Sequence, residues 1–275
     1  MTGPIVVASS ARAAALAIVL AAFHVACTTT QGPVVPVAGA PDRINAAEEG
    51  DAKKRSRARL ELASAYFSRG ETKTALEQVR ISLAADPNYG DAYNLQGLIY
   101  AAIGDQALAE GSFRQALQLN ARDADAMHNY AWYLCQLKRY PESTAMFQQA
   151  LAVPQYRGVT RTLLAQGVCQ AYAGQLAEAE ATLTRAYQLD SANPFTATNL
   201  SEVLYRRGEY ERARFYIRRV NAQPDVANAQ TLWLAARIEN KLGNRQGAFD
   251  FGAQLRNRFP TSREAALFAR GAYDE

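Results

Sequence analysis

The side chains able to do chemistry are few and far apart. The 275-residue sequence holds 2 histidines and 3 cysteines. His24 and Cys27 lie in an apolar leader, which leaves His128, Cys135 and Cys169 for the rest of the chain. A nucleophilic pair of the Ser-His or Cys-His kind would have to use His128, and no motif surrounds it. As a metal set the same residues offer three ligands without Cys-x-x-Cys or His-x-x-x-His spacing, short of a zinc site. The sequence has neither a phosphate-binding loop nor Gly-x-Gly-x-x-Gly. Its carboxylates are scattered rather than paired for acid–base work. We therefore expect no catalytic residue, no metal, no cofactor and no small-molecule substrate. The net charge is +4 with 20% charged residues, but the signs are interspersed. No basic block resembles a nucleic-acid arm, so nucleic acid is not an expected partner.

Cys27 has a different chemistry open to it. Arg12 is the only charge before the apolar run Ala13 to Phe23, and His24-Val25-Ala26-Cys27 follows. The run is too short to span a bilayer and has the length of a signal-peptide core. Small residues directly before a cysteine match a lipoprotein signal, in which residues 1–26 are removed and Cys27 is acylated as the new N-terminus. His24 stands where such signals usually carry leucine. Residues 28–40 are small, polar and proline-containing, the composition of an extended tether. The polar, charged stretch Asp42 to Arg55 reads as a linker or a frayed helix, giving a tether or linker region over 27–55. Thr28, rather than aspartate, after the cysteine resembles the pattern sent onward to the outer membrane. The expected location is that membrane's periplasmic face, held by lipid.

Whatever positions His128, Cys135 and Cys169 is repeated. Gly70, Gly104, Lys138, Gly174, Gly208 and Gly243 are spaced 34, 34, 36, 34 and 35 residues apart. Five residues after each stands a small residue: Ala75, Ala109, Ser143, Ala179, Ala213 and Ala248. Two tracks in fixed phase over six units are an internal repeat. The second unit is the clearest, with Tyr93, Gly97, Tyr100, Gly104, Ala109, Phe113 and Ala116. This pattern resembles the tetratricopeptide repeat (TPR), two helices joined at a left-handed turn. The small residues let the helices approach, and large ones fill the gaps between neighbouring pairs. The expected fold is all-α: a right-handed TPR solenoid of six units at 56–89, 90–123, 124–157, 160–193, 194–227 and 229–262. A capping helix over 263–273 closes a domain spanning 56–275.

In TPR arrays, positions 2, 5, 9, 12 and 13 of each first helix face a concave groove. Here they supply His128, Trp132 and Gln136 in the third unit, Arg161 and Tyr172 in the fourth, and Phe195, Glu202, Tyr205 and Arg206 in the fifth. Aromatics with a few charges are what protein-binding hot spots use. Cys135 and Cys169 fall in adjacent first helices, which pack side by side in such arrays. In an oxidising compartment a disulfide is the favoured reading, and two buried thiols are the alternative.

The third and fourth units carry a narrower likeness. Asn129-Tyr130-Ala131-Trp132-Tyr133-Leu134-Cys135-Gln136 is similar to Asn-Tyr-Gly-x-Phe-Leu-Cys-Gln of the type IV pilus biogenesis and stability lipoproteins, the PilF/PilW family. Phe147, Ala150, Leu151, Pro154, Tyr156, Gly167 and Cys169 continue the resemblance, while Ala131, Tyr133 and Ala165 depart from it. The likeness implies a pilotin: an outer-membrane lipoprotein that binds the pilus secretin and promotes its localisation and multimerisation. The alternative is a TPR lipoprotein adaptor that docks peptidoglycan enzymes or proteases.

Overall fold

A computed structural model describes residues 42–274. Cys27 and the leader lie outside the described residues. Within them the chain forms thirteen helices and no strand. They pair as α1 (Asp42–Ser68) with α2 (Thr72–Ala85), α3 (Gly90–Ile103) with α4 (Gln106–Leu119), and α5 (Ala124–Gln136) with α6 (Tyr140–Ala152). Then follow α7 (Val159–Tyr172) with α8 (Leu176–Leu189), α9 (Pro194–Arg206) with α10 (Tyr210–Asn221), and α11 (Ala229–Lys241) with α12 (Arg245–Arg258). A short α13 (Arg263–Ala269) follows. Several starts are capped by side chains: Asp105, Asp123, Asn193, Asn228 and Ser262 accept from backbone N–H groups in the first turn.

Both repeat tracks have a physical function. The six small residues are buried, Ala248 at 2% exposure and the other five at 0%. Where an alanine is replaced by serine, Ser143 Oγ donates to the Ala131 carbonyl across the hairpin at 2.7 Å. The five turn glycines all adopt left-handed backbone, with φ between 74° and 83°. Lys138 takes the same conformation at φ 61°. A side chain there costs about 1–2 kcal/mol, part of which glycine would return as unfolded-state entropy. Lys138→Gly is thus expected to raise stability by about 0.5–1 kcal/mol, measured by urea denaturation. A lower midpoint would show that the lysine stem contributes more than its backbone costs.

The curvature follows from which helices touch. Each odd-numbered helix contacts the next odd-numbered one, whereas no two successive even-numbered helices meet. The odd helices therefore lie on the inner side of the bend and the even ones fan out behind. Two boundaries differ from expectation. The first helix starts at Asp42, ahead of the expected start at residue 56, so of the two readings of Asp42 to Arg55 the helix is the one that forms. Ala, Glu, Lys and Arg dominate this stretch and are strong helix formers. The last helix stops at Ala269 instead of running to Tyr273. Gly271 turns left-handed at φ 66°, and the chain folds back over α11.

Candidate functional site

The inner face is built from α3, α5, α7, α9 and α11. At its first end it is an open cleft between α1 and α3, lined by Leu60, Ser64, Asn94 and Leu98. Further along, side chains close the seams between helices. Asn129 Nδ2 donates to Asn94 Oδ1 across α3 and α5 at 3.1 Å. Arg161 on α7 reaches Asp125 on α5 at 2.6 Å. Arg206 on α9 donates to the Ala171 carbonyl at the end of α7 at 3.0 Å.

The expected groove residues separate into two groups. Gln136, Arg161, Tyr172 and Arg206 are exposed on this face, and Trp132, Phe195 and Glu202 are half-buried. Trp132 and Phe195 pack against the cluster containing Leu164 and Val168. Those two residues are buried although they hold positions 5 and 9 of the fourth unit. The aromatics thus roof over α7 while keeping part of each ring in solvent. The other two lie inside. His128 is buried, its Nδ1 within 2.9 Å of the Thr162 hydroxyl and its ring edge-on to Phe147. Burial, aided by nearby Arg161, lowers its pKa to about 4, so the ring is neutral at pH 7. His128 is therefore a seam residue and not a groove contact. Tyr205 is buried too, with the Arg237 guanidinium stacked 4.5 Å over its ring. Close side-by-side packing of α5, α7 and α9 brings these two positions under their neighbours.

Glu202 is the electrostatic feature of this face. Burial pushes its carboxyl above the usual range, against the pull of Arg237 and Arg206.

Cys135 and Cys169 are joined as a disulfide with Cα atoms 5.9 Å apart, tying α5 to α7. Both thiols are thereby used. Among the described residues no group of three His, Cys, Asp or Glu side chains is placed to hold a metal. Sequence reasoning overlooked Trp233, Arg237 and Lys241 on α11, positions 5, 9 and 13 of the sixth unit. The signal was available in the same repeat phase.

This architecture defines the protein's class, an all-α TPR solenoid. Tetratricopeptide-repeat models match residues 90–123, 124–153 and 171–237. The type IV pilus assembly protein PilF of Pseudomonas aeruginosa is 28% identical over 209 residues, 76% of this chain and 82% of that protein. The crystal structure of PilW, a widely conserved type IV pilus biogenesis factor, superposes with TM-score 0.73 at 32% identity. It covers 78% of this chain and 98% of PilW. The structure of P. aeruginosa PilF gives 0.71 at 27% identity, covering 80% and 99%. The chain belongs to this PilF/PilW family of type IV pilus biogenesis proteins.

Proposed function

We propose that this protein is a non-enzymatic pilotin, an outer-membrane lipoprotein that binds the type IV pilus secretin and promotes its multimerisation. Family membership supports the pilus system. The observation that carries the binding role is the inner face of units three to five. There Trp132 and Phe195 offer half-exposed rings beside Tyr172, Gln136, Glu202 and Arg206. The action is physical. Acyl chains on Cys27 hold the scaffold at the bilayer, where a single chain would be marginal. Binding secretin subunits there raises their local concentration and favours assembly.

The test complements a deletion strain with variants and follows heat-resistant secretin multimers in outer-membrane fractions. Loss of a true anchor costs ~2 kcal/mol or more, about thirtyfold in affinity. Tyr172→Ala and Glu202→Ala should each reduce multimers while leaving thermal melting near wild type. Cys27→Ser should leave the protein out of the outer membrane and abolish multimers there. Full multimers from a folded triple variant at Tyr172, Phe195 and Glu202 would overturn the inner-face assignment. Recovery of cell-wall enzymes instead of secretin in a membrane pull-down would replace the pilotin reading with the adaptor.

A further inference from the structure

The inner face is open at α1 and α3 but occupied at its other end. Trp233, Arg237 and Lys241 are four residues apart on α11 and so form one stripe along the helix. The segment after α13 lies along that stripe. The Tyr273 ring stacks on Trp233, with centroids 5.3 Å apart and planes 20° apart. Arg237 Nε donates to the Tyr273 carbonyl at 3.1 Å, and Lys241 Nζ meets Asp274 Oδ1 at 2.6 Å. A ring, a main-chain carbonyl and a carboxylate from two consecutive residues are thus each read by one residue of the stripe. That is how a helical groove reads an extended peptide, by spaced anchors and a main-chain contact.

We propose that the inner face of the sixth unit is a peptide subsite. In this chain it is filled by residues 271–274, and it accepts from a protein partner an extended segment with an aromatic residue followed by a carboxylate residue. Charge complementarity supports that occupant: Arg237 and Lys241 border the stripe, and both already hold acceptors of this kind. The resident segment is suited to exchange. It follows a seven-residue helix, and although Tyr273 also packs edge-on to Phe268, the Asp274 side chain is 81% exposed, so its ion pair with Lys241 forms in solvent and contributes little. While it stays bound, a competitor's apparent affinity is reduced by the fraction of subsites already filled. The inference does not depend on the secretin reading, because its probe is a peptide of this chain's own sequence.

The experiment uses the whole protein and a fluorescent peptide, Ala-Arg-Gly-Ala-Tyr-Asp-Glu, followed by anisotropy. Asp274→Lys repels the resident segment from Lys241 and should tighten peptide binding at least threefold with unchanged melting. Adding Tyr273→Ser should bring the gain to about tenfold or more. Adding Lys241→Ala to the opened protein removes the group that holds the peptide aspartate without restoring an ion pair to the resident segment, and should cancel the gain. If both opened variants bind the peptide no more tightly than wild type, the proposal fails. If Tyr273→Ser unfolds the array, Asp274→Lys alone decides, since its exposed side chain supports no core. Dimerisation on opening, without peptide binding, would assign the subsite to a second copy and overturn the partner reading.

Discussion

The Cys135→Ala/Cys169→Ala double variant is expected to lose about 3–4 kcal/mol of stability, the chain-entropy value for a closed loop of this size. The two cysteines are 34 residues apart, and both are at most 3% exposed. The bridge joins successive inner helices that otherwise share only a narrow seam, here shared with Ala131, Ala165 and Phe147. For a chain of this length the loss corresponds to a melting temperature lower by on the order of 10 °C. A repeat array gains stability from each interface between neighbours, so the third and fourth units should lose protection first. Thermal melting with and without reductant provides the check, because reductant should lower the wild type towards the variant and leave the variant unmoved. A variant melting within about 2 °C of oxidised wild type would show that packing alone holds this interface.

Phe113→Ala is expected to cost about 3–5 kcal/mol, the usual range for deleting a fully enclosed aromatic. Its ring is 0% exposed, stacked 5.4 Å from Tyr130 and tilted 5.6 Å from Tyr133. The ring lies directly on Gly97, where an added Cβ would come within 2.8 Å of it. Gly97→Ala in the wild type should therefore destabilise by about 1–3 kcal/mol through overpacking. In the Phe113→Ala background the same methyl enters the vacated space and should be neutral or restorative. The two changes are thus coupled with a sign that a double-mutant cycle in urea measures. Simple additivity would show that Gly97 is needed for backbone reasons and not to admit the ring.

Much of this was legible because repeats announce themselves. The turn track and the small-residue track located six hairpins, and α3, α5, α9 and α11 begin at the first residue of their expected units. The extra residues between the third and fourth units fell in the loop between Ala152 and Val159. What escaped was local to the ends. The polar composition of Asp42 to Arg55 left a linker and a frayed helix both open, because without an apolar stripe only helix propensity separates the two. Gly271, two residues before Tyr273, ends α13 early because its left-handed backbone cannot continue the helix, and a lone glycine near a helix end does not by itself mark the stop.

Sequence by itself determined the element pattern of this protein, because a 34-residue period in small and turn residues leaves one way for helices to pack: in hairpins, side by side. It also determined which residues share the inner helices. Only the tertiary structure decided which of them reach solvent. His128 and Tyr205 hold the same kind of register position as Gln136 and Arg206, yet the first pair is buried and the second exposed. Register sets a direction from the helix axis, whereas exposure depends on how close the neighbouring helix comes. That distance is set by α5, α7 and α9 packing together, with the Cys135–Cys169 bridge tying α5 to α7. The filling of the sixth unit by Tyr273 and Asp274 was likewise invisible in the repeat, since it depends on a chain reversal outside the repeating pattern.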